Sequence, residues 1–404
     1  MNALTKFTKY HFIIPSLINI VILGNLIIWL LASPSTLLAS SIIFTLIFLV
    51  IANLIDVKKT YLLILFLAYA LLLTLGLGTT DWDARSIWVA HAKLIYLEQD
   101  LYAKLIDGSI GGHRDYPIGF PALAATLANV VGIWNEVFPK AALIFFLIPP
   151  LFVTFQALQN RILEIIFLIG MAIICRSYLF NGYMDALVAL YTWAIVLLIM
   201  QIETSETNLS TQKISTRNYL FAITLISFFS VLLMLKNEGL AISIILIIFI
   251  FFYRKPFTFI QICTITLIPL IFYLFVWKIP LWKYGITNDL ISDGIFGRIF
   301  QRITSLHDMK LITSYFFRYC DLFSLAFILN FFRKGVCVKH FSLSIYFIIS
   351  YSAVLFFIYL STPHDLNWHL VTSVKRALLP ILLVMFGSII FSLSPAYKAY
   401  VERR

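Results

Sequence analysis

The feature that most constrains this chain is a near-continuous succession of apolar runs, each close to the ~20 residues that a helix needs to cross a bilayer. Hydrophobic residues make up 61% of the 404 residues, and charged residues only 12%. A soluble core could not bury so much apolar surface. We therefore predict a single all-α, multi-pass membrane unit over residues 1–404, with membrane lipids as its main solvent.

The apolar runs predict about twelve transmembrane helices. They lie near residues 12–32, 36–55, 61–78, 137–157, 162–180, 184–201, 218–235, 239–253, 257–277, 312–331, 341–360 and 377–394. The polar stretches 80–116 and 278–311 are too long to be turns, so we predict them as large extracytoplasmic loops. Segment 117–134, which carries Pro117 and Pro121, could span the membrane or could enter it and return.

The distribution of Lys and Arg separates these two alternatives. If segment 117–134 returns, the basic residues of the short loops face one side, which is then the cytoplasm: Lys6, Lys9, Lys58, Lys59, Arg161, Lys213, Arg217, Arg254, Lys255, Arg333, Lys334, Lys339, Lys398, Arg403 and Arg404. If the segment spans, every later basic loop moves to the opposite face and this pattern is lost. We therefore predict a first catalytic loop at 80–134 that includes a re-entrant segment, with both termini in the cytoplasm.

The net charge of +11 does not indicate a nucleic-acid partner, because the basic residues are scattered singly and in pairs along short loops. The cysteines show no paired spacing, so neither a zinc site nor a disulfide framework is predicted; they are Cys175, Cys263, Cys320 and Cys337. The N-terminal apolar run lacks a small-residue cleavage site, so we expect it to be retained.

Five polar clusters share the predicted extracytoplasmic face. They are DWDAR at 81–85, HRDYP at 113–117, RSYLFNGYMD at 176–185, KNEG at 236–239 and PHDLNWHLVTSVKR at 363–376. Such clusters, brought to one face from separate loops, predict a common site.

The first cluster offers two carboxylates, Asp81 and Asp83, beside the aromatic residues Trp82 and Trp88. Aromatic side chains anchor short helices at the membrane surface. Held there, Asp83 could act as a general base on an acceptor hydroxyl, with Asp81 in support. The alternative is a helix capping box, with Thr80 at the N-cap and Asp83 three residues later.

The other clusters offer polar residues for an anionic substrate, each with a structural alternative. Asp185 begins a span and is either a functional acid or an ordinary helix-start charge. Lys236 is either a phosphate ligand or the partner of Glu238 in an internal ion pair. The stretch from His113 to Tyr116 either contacts a phosphate or is an ordinary polar loop.

The last cluster carries two histidines and two cations. His369 and Arg376 are separated by two helical turns, so both could face one way and bind a pyrophosphate or phosphodiester; snorkelling is the alternative for Lys375 and Arg376. The predicted catalytic residues are Asp83, Asp81 and Asp185. The predicted substrate-binding residues are Arg85, His113, Arg114, Asp115, Tyr116, Lys236, Glu238, His364, Asp365, His369 and Arg376.

The order of these motifs, WDARSIW, DYPxxxP, GYMD, KNEG and WHxxTSxxR, resembles that of bacterial integral-membrane glycosyltransferases of the GT-C superfamily. These are relatives of the protein O-mannosyltransferases and the lipid A aminoarabinose transferases. The resemblance extends from Asp81 to Pro380, about three quarters of the chain. Two extra spans before the first large loop depart from the usual pattern of the superfamily.

The resemblance implies that a sugar moves from a polyprenyl-phosphate donor to an envelope glycan, lipid or protein in the bacterial inner membrane. It implies no cofactor, and either no dependence or a weak dependence on a divalent metal. The catalytic acid of the first large loop corresponds to Asp83, with Asp81 second, and the second-loop acid corresponds to Asp185.

We predict direct, inverting displacement at the anomeric carbon. Asp83 would deprotonate the acceptor, while Arg376, Lys236 or Arg114 stabilises the departing lipid phosphate. The re-entrant segment and the 278–311 loop would admit the polyprenyl chain and the acceptor. Two alternatives stay open: a transporter or flippase for a lipid-linked or anionic solute, and a polymerase or ligase of envelope polysaccharide.

Overall fold

The computed structural model describes residues 2–31, 57–108, 112–204, 211–253, 257–288, 294–333 and 341–401, and every regular element in these ranges is helical. The α-helices are α1 (Asn2–Leu31), α2 (Val57–Gly76), α3 (Val89–Glu98), α4 (Ala103–Ile106), α5 (Gly119–Val131), α6 (Ala142–Leu158), α7 (Arg161–Cys175), α8 (Asp185–Thr204), α9 (Thr211–Leu235), α10 (Glu238–Tyr253), α11 (Phe259–Tyr273), α12 (Ile279–Lys283), α13 (Ile295–Thr304), α14 (Leu306–Phe331), α15 (Ser342–Ser361), α16 (Leu366–Ala377), α17 (Leu379–Ser392) and α18 (Pro395–Val401).

Several of these helices are long and apolar enough to cross a membrane. The described residues contain seven such helices, or eight if the two parts of α14, which meet at 66°, form one span. The shorter apolar helices are Thr60–Gly76, Gly119–Val131, Asp185–Gln201 and Glu238–Phe252. The predicted span at 36–55 lies outside the described residues, as do Cys337 and the basic residues Arg254, Lys255, Lys334, Lys339, Arg403 and Arg404. A count of about twelve spans stays a prediction.

The outer helices expose apolar side chains, which is the arrangement expected when lipid is the solvent. On α7, for example, Ile162, Ile169 and Ile173 are all more than half exposed. The candidate spans Phe138–Leu158 and Asn218–Leu235, which contain α6 and the second part of α9, are in contrast largely buried. The chain is therefore compatible with a multi-pass membrane protein that has inner and lipid-facing helices.

The inner core is organised around α8. All side chains from Asn181 to Met200 are buried, and the helix packs against α6, α9 and α17. A helix that is apolar on every face is stable only when neighbours cover all of it. Its polar start, Asp185, therefore lies at the edge of the core; the end of the bundle where α8 begins is here called the upper end.

Helix α5 covers most of the segment predicted to be re-entrant. It has 13 residues, or about 20 Å at 1.5 Å per residue, short of the ~30 Å apolar layer of a bilayer. Its Thr126 hydroxyl donates to Asn25 at 2.6 Å and accepts from the Trp29 indole at 2.9 Å. A Cβ on Gly119 would lie 2.5 Å from the carbonyl oxygen of Met234. The helix therefore packs beside the upper ends of α1 and α9.

The predicted loop 278–311 is largely helical in its described part. The helix begun by α11 continues through a π-helical turn, Leu274–Lys278, into α12. Helix α13 and the start of α14 follow. The last candidate span also begins earlier than the predicted residue 377, because α16 and α17 together form one helical stretch from Leu366 to Ser392, whose apolar part is long enough to cross a membrane.

Candidate functional site

Five charged residues from four chain segments meet at the upper end of the bundle, and we call them the ion cluster: Asp83, Asp185, Lys236, Glu238 and Arg376. Arg376 Nη1 donates to Asp83 Oδ2 and lies 3.8 Å from Asp185 Oδ2. Lys236 Nζ donates to Asp185 Oδ1 at 2.8 Å and lies 2.7 Å from Glu238 Oε1. Lys236 and Arg376 thus share Asp185 as a common partner.

Local helix chemistry favours three of these positions. Asp185 and Glu238 occupy the first turns of α8 and α10, and Arg376 occupies the last turn of α16. Acids at helix starts and bases at helix ends complement the helix dipole. Asp185 therefore does occupy a helix start, and Lys236 does pair with Glu238, as the structural alternatives predict. The same residues also belong to the ion cluster.

The ion cluster contains three carboxylates and two cations, a formal charge of −1. Its side chains are mostly withdrawn from solvent, from 4% exposed for Asp185 to 25% for Glu238. Burial disfavours the charged form of Lys236, but the carboxylates of Asp185 and Glu238 outweigh it and raise the pKa of Lys236 well above its usual value. Lys236 and Arg376 are thus both paired with carboxylates of the ion cluster.

Aromatic rings cover the cluster. The Arg376 guanidinium lies 4.8 Å from the centre of the Tyr183 ring, and Lys236 Nζ lies 5.7 Å from that of Tyr116. Burial, with the nearby charge of Asp83, raises the pKa of Tyr183 to about 12. These rings add cation–π contacts and keep water from the cations.

Asp83 and Asp81 occupy different environments. Asp83 pairs with Arg376 and makes no capping hydrogen bond to the π-helical turn Ala84–Trp88 that follows it. Asp81 is exposed and accepts a hydrogen bond from Asn181 Nδ2 at 2.7 Å. Arg85 lies on the exposed side of the turn. Only Asp83 of these three belongs to the ion cluster.

The residues of the second cluster hold the loop together. Arg114 donates to the backbone carbonyls of Lys104 and Leu105, which fixes the loop on α4. Asp115 Oδ2 accepts from Asn237 Nδ2 at 2.6 Å and from Asn288 Nδ2 at 2.8 Å. Because Arg114 already donates hydrogen bonds to these two carbonyls, it would have to break them in order to bind a phosphate.

His113 and Tyr116 belong to an aromatic stack in this loop. The His113 ring stacks on Tyr116 at 4.6 Å, and Tyr116 stacks on Trp88 at 5.4 Å. Burial raises the pKa of the Tyr116 hydroxyl. The stack thus connects the second cluster to the first, and its middle ring, Tyr116, lies beside Lys236.

The start of α16 forms a neighbouring group with its own contacts. Asp365 caps the helix by accepting from Trp368 N at 2.8 Å, an ordinary structural role. The His369 ring lies 5.8 Å from His364 and 5.1 Å from Tyr359, while Arg376 contacts the ion cluster. His369 and Arg376 therefore contact different groups, and joint binding of one phosphate by these two residues stays a prediction.

A buried lysine, Lys104, lies beside the second cluster and is not among the site residues predicted from the sequence. Lys104 is fully buried; its Nζ donates to the Tyr116 carbonyl and lies 4.6 Å from the Trp277 ring centre and 3.5 Å from His91 Nδ1. Burial lowers the pKa of Lys104 to about 7, and burial together with Lys104 lowers that of His91 well below its usual value. No local sequence signal separates Lys104 from an exposed loop lysine.

The structure thus brings Asp83, Asp185, Lys236, Glu238 and Arg376 into direct contact, and links Asp115 and Asp81 to the same region through Asn237 and Asn181. Among the described residues, no three His, Cys, Asp or Glu side chains gather as a metal site. Comparison with protein-family models, curated proteins and solved structures gives no match for this chain. The GT-C resemblance, and every role assigned to these residues, stay predictions.

Proposed function

We propose that this chain is an inverting membrane glycosyltransferase, with a GT-C-like fold of about twelve spans, that uses a polyprenyl-phosphate-linked sugar. The acceptor is an envelope glycan, lipid or protein on the extracytoplasmic face of a bacterial inner membrane, and both termini are cytoplasmic. The observation that carries the proposal is the pairing of Arg376 with both Asp83 and Asp185. It joins a candidate base to a candidate phosphate ligand in a mostly buried site.

The ion pair suits Asp83 to the role of base. A positioned carboxylate can take a proton from a reacting hydroxyl, and the contact with Arg376 positions the carboxylate of Asp83. In the reaction, the acceptor hydroxyl gives its proton to Asp83 while its oxygen bonds to the anomeric carbon. The bond from that carbon to the phosphate oxygen breaks, and the lipid phosphate leaves with its charge next to Arg376.

The charge balance of the cluster gives a reason for an order of events. The guanidinium of Arg376 already has two carboxylate partners, Asp83 and Asp185. A donor phosphate that binds Arg376 must therefore compete with Asp83. Loss of the Arg376 contact frees the Asp83 carboxylate, so binding of the donor makes this carboxylate available to the acceptor hydroxyl.

The experiment uses the purified protein in liposomes with a polyprenyl-phosphate sugar that carries ¹⁴C in the sugar, added with an acceptor extract from bacterial envelopes. A transferase converts the labelled lipid into a labelled product of different mobility. A flippase moves the labelled lipid between leaflets and leaves it chemically intact, and this outcome would contradict the proposal.

A further inference from the structure

We propose that an apolar groove between α14 and α15 receives the isoprenoid chain of the donor lipid. This inference rests on the proposed function, and it adds where the chain lies. The groove has a volume of about 470 Å³ and is lined by Phe316, Ser352, Ala353, Phe356, Phe357 and Leu360. Its lining is almost entirely apolar, apart from one serine, which matches a hydrocarbon and not a sugar or a phosphate.

The groove lies at the upper end of the bundle, on its outside. It follows the last turns of α15, from Ser352 to Leu360, a rise of about 12 Å at 1.5 Å per residue. Ala353 and Phe357, one turn apart, are exposed at its surface. A chain could therefore enter sideways from the bilayer without crossing the protein core.

A series of contacts leads from the groove to the ion cluster. The Phe316 ring lies 6.0 Å from Phe356 and 6.1 Å from Tyr359. The Tyr359 hydroxyl hydrogen-bonds Ser373 Oγ at 2.9 Å. Ser373 stands one helical turn before Arg376 on α16, so these contacts connect Phe316 in the groove lining to the helix that carries the cation that would hold the donor phosphate.

Helix α13 indicates where the membrane surface lies. Phe296, Phe300 and Ile303, spaced as one helical face, are 84%, 72% and 52% exposed. Arg302 on the same helix donates to the carbonyls of Tyr359, Leu360, Thr362 and His364, and Arg298 donates to that of Ser361. An apolar face with arginines turned to the protein is typical of a helix lying in the interface.

Because α13 packs against α14 and α15, the interface it marks runs past the upper mouth of the groove. The groove itself then lies just below, in the apolar layer, with Arg302 fixing the carbonyl end of α15 above it. A lipid whose phosphate sits at the interface and whose chain runs downward fits this arrangement. Between an ordinary phospholipid and the donor, the contacts that reach Arg376 favour the donor.

The test fills the groove and varies the chain. Ala353→Trp places an indole in it, and Ala68→Trp on α2, also an exposed alanine, is the matched control. The enzyme is assayed with two donors that carry the same sugar, one with about eleven isoprene units and one with a single unit. For Ala353→Trp we expect kcat/KM to fall about tenfold or more for the long donor and to stay near wild type for the short one.

Equal losses with both donors, or no loss with either, would overturn the groove assignment while leaving the transferase proposal intact. If the wild type transfers sugar from neither donor, the proposed function fails. Photolabelling then tests separately whether the groove binds a polyprenyl chain. A diazirine-bearing polyprenyl phosphate should then label the α15 peptide of the wild type. Excess polyprenyl phosphate should suppress this label and phospholipid should not; equal suppression by both lipids would contradict a donor-specific groove.

Discussion

The contact between Asp83 and Arg376 gives the sharpest single test of the site. Replacing Asp83 by Asn keeps the size of the side chain and its ability to accept from Arg376, and removes its ability to act as a base. The two side chains are 12% and 16% exposed, and Asp185 remains 3.8 Å from the guanidinium. Loss of stability should therefore lie between that of an exposed and a fully buried pair, about 1–3 kcal/mol.

The activity of Asp83→Asn should fall much further than its stability. General base catalysis contributes ~10²–10⁴-fold, so we expect kcat to fall in this range for a protein that still purifies as a folded monodisperse sample. Asp81→Asn is the control, because Asp81 is exposed and contacts Asn181 outside the ion cluster. The assay is transfer of labelled sugar under saturating donor.

A double-mutant cycle separates a base from a structural partner. If Asp83 only positions Arg376, then Asp83→Asn has no further effect once Arg376→Gln has removed that partner. If Asp83 takes the proton, Asp83→Asn lowers kcat by a further ~10²-fold or more in the Arg376→Gln background. If Asp83→Asn causes no further loss of kcat in the Arg376→Gln background, the assignment of Asp83 as the base is refuted.

Three further predictions concern the cation, the buried lysine and helix packing. Arg376→Ala should lower kcat/KM about ten- to a hundred-fold, the value of a charge-assisted contact to phosphate, whereas Lys398→Ala, at an exposed position on α18, should match wild type; equal activity of the two would remove Arg376 from the mechanism. Lys104 has a native pKa of about 7 against 10.5 when free, so the unfolded chain binds more protons between these values and wild-type stability rises with pH there. The extra thermal stability of Lys104→Met over wild type should therefore be largest below pH 7 and shrink towards pH 10, with Lys93→Met as the exposed control; a pH-independent difference would contradict a buried lysine. Gly239→Ala would place a Cβ 2.1 Å from the Leu232 carbonyl oxygen and should cost about 1–3 kcal/mol, whereas Gly24→Ala meets nothing within 4 Å and should be neutral or stabilising in the same melting assay; similar melting temperatures for the two variants would contradict this close approach of α9 and α10.

Much of the fold could be predicted because lipid exposure leaves a strong pattern in the sequence. A helix such as α8 has to be apolar all round, so its extent can be read from residues 184–201 alone. Boundaries near the upper end were less predictable. Helix α16, with Asp365, His369 and Arg376, contains enough polar residues to resemble a loop, yet its cap and its packing extend the last span back to Leu366.

The candidate site shows a similar division. Asp83, Asp185, Lys236 and Arg376 stand out because charges are rare in so apolar a chain and need partners when buried. Their pairing could not be predicted, since Asp83 and Arg376 are far apart in sequence and only tertiary packing joins them. Arg114 and Asp365 are also conspicuous in the sequence, but both form hydrogen bonds with nearby backbone groups and lie outside the ion cluster.

The most direct test of the central claim is the stoichiometry of the reaction, measured by mass spectrometry of the lipid and acceptor fractions after incubation of the purified protein with a polyprenyl-phosphate sugar. Wild type should release one free polyprenyl phosphate for each glycosylated acceptor formed. Asp81→Asn should retain most of this conversion, and Asp83→Asn should form neither product at a comparable rate. Folded wild-type protein that consumes no donor, or that moves the donor across the membrane unchanged, would contradict the account.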